Sequence, residues 1–516
     1  MTTSKEAKFT PLLNKENRTN YPSYRDYLNE QLSAVRAEYL KVNQDNELTL
    51  WGISLAEMAR NLGTPLEIIC IPTITHRADQ ISYMIRRSIS ETGYRGGHTC
   101  FYASKANPTA PYVETMINQW GAIETSSAID AWNLLKLAKK GKLPKNFKIA
   151  CNGPKPLPSD ICLPDKRVAI KNLIVDDISA PNRNSTPSYL ELINQLASMG
   201  IDITPIVDSQ EELDFLCQGR NEIKVRQVGL RLKVYGVATN SNQLENLQSR
   251  HGMDVKTLAH AAERIDKTKH LELTTFHSMI SAAGAPPMED FINSLLYTAK
   301  IYFELKKQYP TLCKFNMGGG IPAIGFTDFD HQYFFKKLFS GIKDLANSYK
   351  LDEPEIQFEM GTPIAKEAGM VIYKVVNRKV NSIGKRWGML DGSLMEDFPD
   401  MKVVNDKTFP FWAVNNLNRT TEAVTLGDMT CDGDGCYPQK GDDDEFILLP
   451  TASDDDLFIA GLTAGAYQET LTGYGGVGHC GLTEADRAIM YVENGKIRLK
   501  RLPKQTADEA HRILGY

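Results

Sequence analysis

Apolar and polar positions along the middle of the chain repeat one rhythm: a short apolar or β-branched run, a polar turn, then a stretch with apolar residues at three- and four-residue steps. The short runs predict strands at CFYAS (100–104), AIETS (122–126), KIACN (148–152), NLIVDDI (172–178), DITPIV (202–207), VGLRLKV (228–234), LELTTFH (271–277), CKFNMGG (313–319) and EIQFEM (355–360). Helical periodicity is expected between most of them, in APYVETMINQW, AIDAWNLLKLAKKG, SYLELINQLASMG and FINSLLYTAKIYFELKKQ. Strand–helix alternation sustained over that length predicts a (β/α)8 barrel. Nine candidate strands are one too many for a closed barrel. The surplus is assigned to 157–200, where Pro, Asp and Asn crowd the sequence like an insertion.

After about residue 364 the helical rhythm fades. Short runs such as AVTLGDM and EFILLP stand between Gly, Asp and Pro turns, which predicts a mostly β domain over 365–516. The barrel is expected over 71–364, with residues 1–70 packing against the β domain. GDDDE (441–445) and SDDDL (453–457) read as solvated loop acids.

Composition narrows the function. A net charge of -4 over 516 residues carries no electrostatic footprint for nucleic acid or an anionic membrane. No apolar run approaches the roughly 20 residues a membrane helix needs. The polar start lacks the apolar core of a secretory signal. Nine scattered cysteines without a C-x-x-C pair fit reduced thiols, so a cytoplasmic location is expected.

In such a barrel, chemistry sits at the carboxyl ends of the strands. By that rule Lys105, Glu124, His277, the run Gly318-Gly319-Gly320 and Glu359 converge on one mouth. A lysine there forms an imine with an aldehyde, and desolvation is expected to lower its pKa enough to react. Consecutive glycines let backbone N–H groups approach a phosphate. A carboxylate facing a pyridine nitrogen keeps that nitrogen protonated, and an imidazole lies against the ring. Together these are the parts that pyridoxal phosphate needs.

FYASKAN around Lys105, GAIETSS, NGPKP, VGLRL, FH at 276–277, MGGGIP, EMGTPIAKEAG, TCDGDG and GAYQE follow one another in an order that resembles the fold-type III pyridoxal-phosphate decarboxylases. These are the alanine racemase-like barrels acting on ornithine, arginine, lysine or diaminopimelate. CIPTITHRADQISYMIRRSISETGY, SLMEDFPD, LGDMTCDGDG and GAYQE followed by TEA resemble the biosynthetic arginine decarboxylase branch, whose members are usually longer.

The resemblance implies the roles that follow. Lys105 is the Schiff-base lysine, Glu359 the acid at the pyridinium nitrogen and His277 the ring-stacking histidine. Gly318, Gly319 and Gly320 form the phosphate loop, and Tyr467 reaches the phosphate. Glu124 is the acid near the lysine and Arg231 an organising arginine. Cys431 is the cysteine contributed by a second subunit, with Asp432 its acidic neighbour. Asp400 stands where the family places an acid for the distal amine, and Asp434 adds a further carboxylate near the substrate tail.

The expected activity is decarboxylation of a basic amino acid, arginine to agmatine first, in a homodimer with shared sites. Ornithine, lysine, diaminopimelate or a D-amino acid is the alternative substrate. A racemase on the same fold, which pairs the pyridine nitrogen with arginine, is disfavoured by Glu359. A catalytically inactive regulator is disfavoured by Lys105, Glu359 and Cys431, and a Schiff-base aldolase barrel by the ordered motifs.

Three departures stand out. Thr362 replaces the arginine that follows the EPG-like glycine. The H-x-G-S motif becomes His277-Ser278-Met279-Ile280, with Ser281 displaced by one position. TGYGGVGHCGL (472–482) is richer in glycine than its counterparts. Ser281 and Thr362 hydroxyls are candidates for rerouted phosphate contacts. No metal is expected at Cys431 and Cys436, since no second pair or nearby histidine completes a tetrahedral set.

Overall fold

The computed structural model describes every residue except 1–10, 15–19, 156–186, 219–222, 234–249, 281–286, 405, 407, 440–443, 452–455 and 503–504. Eight parallel strands close a barrel: His98–Ala103, Ala122–Thr125, Lys148–Cys151, Asp202–Val207, Gln227–Leu232, Glu272–Ser278, Lys314–Asn316 and Glu355–Met360. The last pairs with the first, Glu359 opposite Phe101 and Met360 opposite Tyr102. Eight of the nine predicted strands are these. NLIVDDI (172–178) lies outside the described residues, and the barrel closes without it.

Alternation within each strand sorts side chains between two environments. Ile123, Ile149, Leu230, Phe276, Phe315 and Phe358 enter the apolar shell shared with the surrounding helices. Glu124, Ala150, Arg231, His277, Asn316 and Glu359 alternate with them. At the amino-terminal end, polar contacts occupy the barrel: Thr99 donates to Glu355 at 2.6 Å, and Lys314 donates to Gln227 at 2.7 Å.

The helix Ile71–Thr92 leads into the first strand. Pro72 stands at its start, where no N–H is needed, and Gly93 ends it in the left-handed region at φ 61°. Ile74, Ala78, Ile81 and Ile85 give it one buried stripe.

A ten-stranded sheet forms the second layer of the architecture. Its strand Leu66–Cys70 pairs antiparallel with Gly369–Val380 and parallel with Asp486–Glu493. The Asp486–Glu493/Lys496–Leu502 hairpin turns on Asn494 and Gly495, both at positive φ, the pair that a two-residue hairpin loop favours. Where sheet and barrel meet, the buried Arg77 guanidinium pairs with buried Glu367. Glu367 also accepts from Tyr39 OH at 2.6 Å and from the backbone amides of Ile324 and Gly325 at 3.0 and 2.7 Å. This network fixes the loop that follows Gly318–Gly320. No described helix is long and apolar enough to cross a membrane.

Candidate active site

Register brings the predicted residues together. Glu124 pairs across the ladder with Ala103, two residues before Lys105. His277 stands opposite Arg231 on one side and Asn316 on the other. Glu359 closes the ring from the last strand.

Two buried carboxylates share one amide. Asn152 Nδ2 donates to Glu124 Oε1 at 3.0 Å and to Glu359 Oε1 at 2.9 Å. Glu359 Oε1 also accepts from Asn316 Nδ2 at 2.9 Å, and Glu124 Oε1 from Ser126 Oγ at 2.8 Å. Neither asparagine carried a role in the sequence reading. Both lie at a strand end or one residue beyond it, which is the signal that would have found them.

The two acids titrate in opposite directions. Burial raises the Glu124 carboxyl above its usual range, and the neighbouring Glu359 charge adds to this against the pull of Lys105. Burial also works against ionised Glu359, but His277, Lys105 and the Asn152 amide outweigh it and hold that carboxyl below the ordinary range. His277 itself is pushed down by burial and is therefore neutral at neutral pH. The standing support for the Glu359 charge is then Lys105 and the two amide donors.

Lys105 sits in the turn Ser104–Ala106 and its side chain is exposed. The expectation that desolvation lowers its pKa is corrected: Glu124 and then Glu359 outweigh burial, and the ammonium pKa is raised. The free amine becomes reactive only when these acids are offset.

Four buried polar atoms of this mouth have no hydrogen-bond partner among the described residues: Glu124 Oε2, Asn152 Oδ1 and both ring nitrogens of His277. His277 Nε2 lies 3.4 Å from Glu359 Oε1, outside good hydrogen-bond geometry. A buried acceptor or donor left so costs about 1–3 kcal/mol, so a polar group belongs in this space. A Cβ on Gly319 would meet the Glu359 carbonyl oxygen at 2.5 Å, and one on Gly361 would meet Ala106 Cβ at 2.9 Å. Gly318 and Gly320 take positive φ, which glycine alone adopts without strain. An amine, a buried anion, a flat imidazole and a glycine cradle fit pyridoxal phosphate.

Two amides of the cradle are occupied. Gly319 N–H points at Met279 Sδ, 3.1 Å away, where the family's motif has glycine. Gly318 N–H is taken by Asn316 Oδ1 at 2.8 Å. The thioether is flexible and must turn aside before a phosphate oxygen can take the Gly319 amide. Tyr467 stands beside Gly361 and Thr362: its hydroxyl lies 3.5 Å from the point a Gly361 Cβ would occupy, and it interacts with Thr362. Tyr467 holds φ at 67°, secured by its N–H donating to Ala106 O at 2.8 Å. Ser281 lies outside the described residues.

Arg231 is engaged by Asp208 at 3.3 Å. Asp400 Oδ2 accepts from Gln468 Nε2 at 2.8 Å, and its charge acts on Tyr467, which places it beside the mouth. Cys431, Asp432 and Asp434 are exposed on a turn after the strand Thr421–Gly427. None of them is among the principal influences on the charge of Lys105, Glu124, His277 or Glu359 in this chain.

Residues 167–366 match the family described as pyridoxal-dependent decarboxylase, pyridoxal binding domain. The diaminopimelate decarboxylase of Staphylococcus aureus (strain COL) is 24% identical over 450 residues, covering 84% of this chain and 90% of that protein. A biosynthetic arginine decarboxylase of Alkalilimnicola ehrlichii is 21% identical over 285 residues, 53% of this chain and 39% of that longer one. Among solved structures, the biosynthetic arginine decarboxylase of Campylobacter jejuni superposes with a TM-score of 0.74 at 16% identity, covering 93% of this chain and 91% of that one. The diaminopimelate decarboxylase of M. jannaschii gives 0.70 at 18% identity over 92% and 97%. At these identities the superpositions speak for the fold.

Proposed function

This chain belongs to the fold-type III pyridoxal-dependent decarboxylases, and from that premise we propose that it decarboxylates a basic amino acid, arginine first, in a homodimer whose sites are completed across the interface. The observation that carries the reading is the buried Glu359 carboxyl that accepts from both Asn152 and Asn316 at the end of the last barrel strand.

Bound pyridoxal phosphate supplies an electron sink for the pair released when the substrate carboxylate leaves as carbon dioxide. Lys105 is the residue that would carry it. Glu359, kept charged, would hold a proton on the ring nitrogen, and His277, a neutral imidazole, would line the ring's place in the mouth. Gly319, Gly320 and Tyr467 would receive the phosphate once Met279 swings away, with Thr362 adding a hydroxyl and Gly318, its N–H held by Asn316, shaping the loop. Arg231, fixed by Asp208, orders this side of the mouth. The proton that returns to the substrate α-carbon comes from Cys431 Sγ of the second subunit.

Specificity for a cationic side chain rests on Asp400 beside the mouth and on Asp432 and Asp434 on the turn that carries Cys431. A guanidinium takes a carboxylate in a two-pronged grip, which favours arginine over ornithine and lysine. Diaminopimelate is the second reading, favoured by the greater length over which the Staphylococcus aureus enzyme aligns. Its distal end carries a carboxylate as well as an amine, and Arg231, the arginine of this mouth, is already paired with Asp208. Amine and carbon dioxide release across arginine, ornithine, lysine, diaminopimelate and their D-forms tests the choice. Fastest turnover of arginine supports it; preference for diaminopimelate, or for a neutral or acidic substrate, overturns it.

A further inference from the structure

Outside the barrel mouth, the turn that carries Cys431 meets the loop that carries His479 and Cys480. The two segments are far apart in sequence, and no spacing rule links them. Cys431 Sγ and Cys480 Sγ lie 3.3 Å apart, and with a ring nitrogen of His479 they form a group whose ligand atoms are all within 4.8 Å of one another. It is the one such group among the described residues. His479 Nε2 is 3.7 Å from Asp432 Oδ2, so a carboxylate stands beside the imidazole.

We propose that Cys431, His479 and Cys480 form a binding site for a thiophilic divalent cation of the zinc class, with Asp432 or water as the fourth ligand.

The distances suit that chemistry. Zinc bonds of about 2.3 Å to sulfur and 2.0–2.1 Å to nitrogen give tetrahedral edges of roughly 3.8 Å between sulfurs and 3.5 Å between sulfur and nitrogen. The observed sulfur separation needs to open by only about half an ångström. A second observation points the same way: the Cys431 backbone N–H donates to Cys480 Sγ at 3.3 Å, a contact that supports a thiolate ligand. Cys480 takes φ 61°, a left-handed conformation that is uncommon for a side-chain-bearing residue. The three side chains are exposed in the single chain, so an ion reaches them there without any opening of the fold, in competition with the pairing of subunits over Cys431. Binding is proton exchange with no redox step: each thiol gives up its proton as its sulfur donates a lone pair to the metal, and the imidazole binds neutral.

Capture of Cys431 removes the thiol that the proposed mechanism uses for protonation, so metal binding and turnover exclude one another. That consequence rests on the functional reading; binding itself does not.

The test uses reduced, full-length holoenzyme loaded with zinc alone, desalted and assayed for bound metal. One zinc per chain is expected in the wild type and in Cys313→Ala, which removes an exposed cysteine outside the cluster. The ion should be lost in Cys480→Ala and in His479→Gln. Cobalt in place of zinc should show intense visible absorption from a tetrahedral thiolate site, absent in Cys480→Ala. Failure of the wild type to retain zinc, or equal retention in both ligand variants, overturns the proposal. Where zinc inhibits turnover, Cys480→Ala should resist that inhibition, read as the ratio of its rates with and without zinc. Retained binding without inhibition would contradict the role of Cys431 and leave the metal site standing.

Discussion

Asn152→Ala removes the donor that two buried acids share, and its effect on the pH profile is calculable. In the wild type the amide contributes one charge-assisted hydrogen bond to Glu359 at 2.9 Å. Such a bond favours the ionised carboxyl by about 1.5–3 kcal/mol, and 1.36 kcal/mol corresponds to one pKa unit. Asn316 and Lys105 remain, so Glu359 stays the nitrogen's partner at neutral pH, but its carboxyl rises by about one to two units. Because the protonated acid no longer holds a proton on the ring nitrogen, the acid limb of kcat should move up by that amount. The neutral-pH plateau should fall only a fewfold. Stability follows the same sign. A carboxyl depressed in the folded state stabilises above the unfolded pKa of about 4.3, and the contribution is lost as pH falls through the folded value. The variant should therefore lose part of its advantage over acid-unfolded chain above that pH. Turnover profiles from acid to neutral pH, with cofactor content followed by visible absorbance, measure the shift. An acid limb superimposable on the wild type in a fully loaded variant would refute the assignment of Glu359.

Three other outcomes follow from the same geometry. Met279→Ala frees the Gly319 amide and should tighten cofactor binding about tenfold, read by titrating apoenzyme, given a charged hydrogen bond of about 1.5–3 kcal/mol; unchanged affinity would mean the phosphate bypasses this loop. Asp400→Ala should raise KM for the basic substrate tenfold or more while sparing an uncharged analogue, and an equal effect on both would remove Asp400 from side-chain recognition. Mixing Lys105→Ala chains with Cys431→Ala chains should restore activity through one intact site per mixed dimer, and silence despite proven subunit exchange would defeat the shared-site reading.

The convergence of Lys105, Glu124, His277, the glycines and Glu359 was legible because strand ends in a closed barrel share one face, whatever their separation in sequence. The same rule covers Asn152 and Asn316, but an amide carries no distinctive chemistry until the acids it bridges are seen. The expected fall of the Lys105 pKa weighs burial alone, although the strand-end rule already brings Glu124 and Glu359 to the amine, and their charges outweigh desolvation. The surplus strand came from an apolar run, NLIVDDI, outside the described residues. The Cys431–Cys480 contact depends on how two loops fold over one another, and neither hydrophobic pattern nor cysteine spacing encodes that.

Borohydride reduction followed by peptide mapping addresses the central claim most directly, since it asks which residue holds the cofactor. The purified protein should be yellow, and reduction should bleach it and fix one pyridoxyl group per chain on Lys105. A protein that stays colourless and inactive with added pyridoxal phosphate, or that carries the label on another lysine, would contradict the account.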